Sequence, residues 1–233
     1  MSSAAALFSA TARTARAAHG RWTERIDPYR PALELGGVAL TAGIHLSWPL
    51  IGLPRGVLVV PLVVGWVAYI LTRARVSPEA VAAWGLRREG LVPASLATAL
   101  VGMVGVAGML TIGWFLGAGL PPWYAAACLV VYPIWGLVQQ LLVQGLVTGN
   151  LVKLPGRWGH PALATVVSAT LFGLVHFPRP ELMIGTFLLG LALAPIWLRW
   201  RNLWPLAFAH GWLGTMIYYV VMMEDPIRTY FSA

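Results

Sequence analysis

Tyr132 to Asn150, YPIWGLVQQLLVQGLVTGN, is an apolar run broken by three glutamines, Gln139, Gln140 and Gln144. Read as a helix, Gln140 and Gln144 share one face because they stand four apart, and Gln139 lies about 100° round from Gln140. Amide donors and acceptors inside a bilayer need partners, so such a face turns away from lipid. It points into protein or a wet cavity. Two later apolar runs each bring a histidine that can meet it: His176 in LFGLVHF and His210 in PLAFAHGWLG. A polar cluster built from three spans is the candidate site.

The rest of the chain fits a membrane protein. A soluble domain carries about 25% charged residues, whereas here 10% of 233 residues are charged and 58% are hydrophobic. The mean hydropathy is +0.73. The expected architecture is an all-α polytopic bundle of about seven transmembrane helices, near Ala32–Leu53, Val57–Thr72, Leu91–Leu116, Trp123–Val152, Ala162–Phe177, Leu182–Leu198 and Leu203–Met223. The fourth is too long for a straight crossing and is expected to tilt or break near Pro133. Residues 1–31 read as a basic cytoplasmic tail, 32–90 as two spans plus an interfacial loop, and 91–233 as a core of five spans. In the loop, Trp84 is expected at headgroup depth with Arg87 and Arg88 outside it.

The net charge of +8 does not imply nucleic acid, because the arginines are scattered between apolar runs and form no soluble basic face. Placing the N-terminus inside puts thirteen of the sixteen basic residues on the inner side and leaves Arg55, Arg179 and Arg228 outside. The lone Cys128 excludes an intramolecular disulfide and reads as a small buried hydrophobe. Tryptophans near span ends, among them Trp114, Trp123, Trp197, Trp204 and Trp212, read as interface anchors or as walls of a ligand cavity.

The polar trio resembles the CAAX protease and bacteriocin-processing (CPBP, or "Abi") family of intramembrane endopeptidases. That family carries Glu-Glu-x-x-x-Arg on one span, Phe-x-x-x-His on the next and His-x-x-x-Asn two spans on. This chain reads Gln139-Gln140-x-x-x-Gln144, Phe172-x-x-x-His176 and His210-x-x-x-Gly214. Order and spacing agree over roughly Leu91 to Met223, and Gly85-Leu86-Arg87 resembles the family's lead-in to its core. The resemblance implies catalytic positions at Gln139, Gln140, Gln144, His176 and His210, supported by Phe172 and Gly214.

In that family the first glutamate is taken to activate water. A carboxylate can accept the proton; a glutamine amide cannot. The joint loss of a Glu and an Arg at Gln140 and Gln144 is charge-neutral, and it avoids burying two ions at about 2.5–3.5 kcal/mol each. The expected function is therefore a CAAX protease-like membrane protein with impaired catalysis, in a bacterial inner membrane. Its cavity would bind a lipid, a membrane peptide or a partner helix. The alternative is an active endopeptidase on prenylated or hydrophobic peptides, with His176 or His210 chemistry or with Glu181 as substitute acid. A third is a small-solute transporter, against which stands the near absence of intramembrane ions. The bland reading is a satisfied polar core, with the histidines bonded to the glutamines and to Ser168, Thr170 and Thr215. The family was long described as metalloproteases, but two histidines are thin for zinc, so no cofactor is expected. The bilayer is the sure partner.

Overall fold

Three of the long apolar runs carry an internal proline, and all three stay helical. The computed structural model describes residues 27–47, 50 and 55–227. Eight helices are present among them. A short turn, Asp27–Tyr29, leads into α1, Arg30–Leu46, and α2 is Arg55–Val76. The brief α3, Pro78–Trp84, precedes α4, Leu91–Leu116. Helix α5, Ala126–Gln140, continues through a π-helical stretch, Leu141–Thr148, and a last turn, Gly149–Leu151. Helices α6, Pro161–Leu174, and α7, Pro180–Trp200, follow. Helix α8, Trp204–Met216, ends in a second π turn, Ile217–Val221. No strand occurs among the described residues.

Among the described residues, four helices are long and apolar enough to cross a membrane: Val57–Val76, Leu91–Leu116, Trp123–Leu151 and Pro180–Trp200. Helices also stand where the other three spans were expected, but α1, α6 and α8 are shorter. Most of the expected basic tail, with Trp48, Pro49 and the turn at Pro54, lies outside the described residues. The architecture is an all-α membrane bundle.

The expected break near Pro133 does not occur. Proline lacks the N–H that would bond the carbonyl four residues back, here that of Leu129. The indole of Trp212 on α8 donates to that carbonyl instead, at 2.9 Å. The irregularity falls later, in the π stretch, where the Thr148 hydroxyl donates to Val143 O at 3.0 Å.

Helices α5 and α8 meet backbone to backbone. A Cβ at Gly136 would lie 2.6 Å from Ala207 O, and one at Gly211 would lie 2.6 Å from the Tyr132 carbonyl carbon. On the other side, a Cβ at Gly173 of α6 would lie 2.9 Å from Met183 O of α7. Small residues let membrane helices approach this closely.

The loop after α3 is tied into the bundle, with Gly85 buried and Arg88 and Glu89 exposed. Trp84 is buried against Gly145, and its carbonyl accepts from the Trp197 indole at 2.9 Å. Trp197 is likewise core and not an interface anchor. The Arg87 guanidinium turns inward and donates to Arg201 O at 3.0 Å and Trp200 O at 3.2 Å. Asn202 donates to Arg87 O at 2.7 Å and Glu89 O at 3.1 Å. Gly85 and Gly90 have positive φ, and a Cβ on either would strike the backbone at Arg201 or Trp200. Burial, and secondarily the nearby Arg87, pulls the Arg201 guanidinium down from its ordinary value. Its charge rests over the Trp197 ring, 4.1 Å from the centroid.

Candidate functional site

The close α5–α8 seam sets the site. Gln140 lies one turn beyond Gly136, and His210 is next to Gly211, so the two polar side chains meet where the backbones are nearest. Both are buried, and Gln140 Nε2 stands 3.2 Å from His210 Nδ1. As placed, the amide donates and Nδ1 accepts, which leaves the His210 proton on Nε2.

Phe172 joins the second histidine to the first. Its ring sits edge-on to His210, with centroids 5.1 Å apart, and edge-on to His176 at 5.4 Å. His176 Nδ1 lies 2.8 Å from Phe172 O. A carbonyl only accepts, so Nδ1 carries the proton there. The hydroxyl of Thr186 on α7 stands 3.2 Å from the same nitrogen and 2.7 Å from Leu182 O. Its one hydrogen goes to the closer carbonyl, so its oxygen also receives Nδ1–H.

Gln140, His210, Phe172 and His176 therefore come together from α5, α8, α6 and the turn that follows α6. Gln144 is buried but turns to its own helix, its Oε1 lying 3.0 Å from the Thr148 hydroxyl, which shares its one hydrogen between that oxygen and Val143 O. The Gln140 Oε1 and Gln144 Nε2 atoms are buried with no partner. Gln139 is half-buried and is not drawn into these bonds. A Cβ at Gly214 would rest 3.8 Å from the Tyr132 ring and 4.0 Å from His210 Cδ2, in ordinary contact.

Sequence reasoning misplaced the hydroxyl partners. Ser168 bonds Ala164 O, Thr170 bonds Val166 O and Thr215 bonds Gly211 O, each within its own helix. Thr186, which does reach a histidine, was missed: a threonine in an apolar run carries no signal of which helix it faces. Glu181 is exposed in the first turn of α7. His160 caps α6 at the surface, accepting from Ala162 N at 3.3 Å.

One acid does lie inside the bundle. Glu34 of α1 is buried, accepts from Asn150 Nδ2 at 2.5 Å and is also bonded by the Tyr69 hydroxyl. It sits with Asn150, ten residues along the helix from Gln140, in a cluster of its own.

Zinc needs a third donor beside two imidazoles. Among the described residues no group of three or more His, Cys, Asp or Glu comes together.

An all-helical membrane bundle with a buried amide, imidazole and phenyl ring beside a half-buried second imidazole defines the class. Residues 121–216 match the family described as Type II CAAX prenyl endopeptidase Rce1-like. The match lies within the segment that carries the sequence resemblance and supports membership of the CAAX protease and bacteriocin-processing family. Over those residues the chain is similar to CAAX prenyl endopeptidases, and its long apolar helices are those of an integral membrane protein. No curated protein and no solved structure matches it.

Proposed function

We propose that this chain is a catalytically impaired member of its family, kept for binding a lipid, a membrane peptide or a partner helix in a bacterial inner membrane. The observation that carries this reading is the identity of the groups around His210 and His176. The side chain that meets His210 is an amide, and the acid positions of the family motif hold Gln139 and Gln140. An amide cannot take a proton from water near neutral pH. Removing a carboxylate while retaining the fold leaves polar groups that can still orient a ligand.

Seven spans with the N-terminus inside fit the pairing of helix ends. Arg179 is ion-paired to Glu224, and Tyr124 donates to Asp225 at 2.5 Å; all four fall on the expected outer side. Glu34 with Asn150, and Arg87 with Trp200, fall on the expected inner side.

The second reading, an active endopeptidase, is favoured by one observation. His176 holds its proton on Nδ1 against Phe172 O, so Nε2 is the basic nitrogen. Peptidase activity in lipid nanodiscs, on prenylated and unprenylated reporter peptides, decides between them. Wild type is expected to be silent, and the Gln139→Glu, Gln140→Glu, Gln144→Arg triple to gain activity. Cleavage by wild type that His176→Ala removes would establish the active enzyme instead.

A further inference from the structure

The buried acid Glu34 has a cation near it whose hydrogens are not all engaged. We propose that Arg73, with Lys153, binds the phosphate of an anionic phospholipid at the expected inner end of α2 and α5. This site is separate from the Gln140–His210 pair, and it stands whether or not that pair supports catalysis.

Glu34 of α1 receives the Tyr69 hydroxyl on Oε1 and the Asn150 amide on Oε2. Asn150 in turn accepts from Lys153 Nζ at 3.0 Å through Oδ1. Arg73 follows Tyr69 by one turn of α2, so the two share a face. The guanidinium lies close enough to act electrostatically on the Tyr69 hydroxyl. Its Nε and Nη1 atoms are nevertheless buried without a hydrogen-bond partner among the described residues. The acid that could pair with them already receives a hydrogen on each oxygen. Arg73 and Lys153 are two cations beside one acid, so the cluster carries one formal positive charge in excess.

A buried cationic donor without an acceptor is unfavourable, and an anion is the partner that satisfies both its charge and its hydrogens. Arg73 is half-buried and not sealed in, and Lys153 is exposed. Next to the inner end of a membrane bundle lies the headgroup layer, where lipid phosphates are the abundant anions. The planar guanidinium matches two phosphate oxygens, and rotation about its last side-chain bonds presents Nε–H and an Nη–H along one edge. Lys153 keeps two ammonium hydrogens after Asn150 takes one. Arg75, in the same last turn of α2, is exposed and has no buried donors, so it serves as an internal control.

The full chain in detergent, titrated with phosphatidylglycerol or phosphatidylcholine and read by native mass spectrometry, tests the site. Wild type is expected to retain phosphatidylglycerol in preference to phosphatidylcholine. Arg73→Gln is expected to lower that preference at least about fivefold, Lys153→Gln to lower it less, and Arg75→Gln to leave it unchanged. Arg73→Lys keeps the charge but loses the fork, and should fall between wild type and Arg73→Gln. Equal retention of the two lipids by the wild type would overturn the proposal, even if a variant failed to fold. A loss in Arg75→Gln as large as in Arg73→Gln would also overturn it, by showing a diffuse basic rim and no defined site. Excess inorganic phosphate separates the two sources of the anion. It is expected to leave the phosphatidylglycerol adduct in place, and displacement by phosphate alone would assign the site to the free ion and overturn the lipid.

Discussion

The Trp212 indole donates to the Leu129 carbonyl, which is the carbonyl that Pro133 leaves without a helical partner. This bond explains how a proline sits inside α5, about two helical turns before Gln139 and Gln140, without breaking the helix. It also ties α8 to α5 on the register that brings His210 to Gln140.

Trp212→Phe keeps most of the ring and removes the donor, so Leu129 O loses its partner. The expected cost is about 1–2 kcal/mol of unfolding free energy, measured by denaturation in detergent micelles. Pro133→Ala supplies a backbone N–H to the same carbonyl. In that background Trp212→Phe should cost clearly less, and equal costs in the two backgrounds would refute the pairing.

Much of this arrangement can be read from the sequence, and the unreadable part has a definite character. Span order and four-residue spacing are properties of one helix at a time, so Gln140, His176 and His210 could be grouped from the letters, and the family resemblance added Phe172. The azimuth of one helix against another is not encoded locally. That is why Thr186 was missed, and why Ser168, Thr170 and Thr215 were credited with bonds they spend on their own backbones. Glu34 could not be singled out from the sequence because nothing near it in the chain announces Asn150, which follows it by 116 residues. Trp84 read as an interface anchor because the tryptophan–arginine pattern is the same whether the ring meets headgroups or Gly145. The π stretch at Leu141–Thr148 is a tertiary adjustment with no sequence periodicity of its own.

Glu34 links α1 to both α2 and α5 through Tyr69 and Asn150. Removing one partner of a buried carboxylate costs more than removing an ordinary surface contact. Asn150→Ala is expected to destabilise the protein by about 1–3 kcal/mol. Glu34→Gln retains a carbonyl acceptor and should cost less. Unfolding midpoints of the two variants, compared at constant slope, test the order. A milder effect for Asn150→Ala than for Glu34→Gln would mean that the Asn150 bond contributes little.

The alternating topology predicts opposite labelling of two exposed positions. Leu120, after α4, belongs to the expected outer side and Lys153, after α5, to the inner side. Cys128 is buried and should stay unlabelled. In sealed cells, Leu120→Cys should react with a membrane-impermeant maleimide, and Lys153→Cys should react only after permeabilisation. Labelling of both in sealed cells would place the two loops on one side and break the alternation.

Gly211 and Gly214 lie one turn apart on α8 and should respond in opposite ways to an added side chain. A Cβ at Gly211 collides with the backbone at Tyr132 and Pro133, which cannot give without separating α5 from α8. Gly211→Ala is therefore expected to cost about 1–3 kcal/mol and to pull His210 away from Gln140. A Cβ at Gly214 meets only the Tyr132 ring and His210 Cδ2 at ordinary distances. Gly214→Asn, which restores the residue of the family motif, should change stability by less than about 1 kcal/mol. Parallel unfolding curves test the contrast, and a Gly214→Asn variant as unstable as Gly211→Ala would show that this position has closed to the family's residue. If the contrast holds, the asparagine can be added to the Gln139→Glu, Gln140→Glu, Gln144→Arg triple to test whether the whole motif can be rebuilt on this backbone.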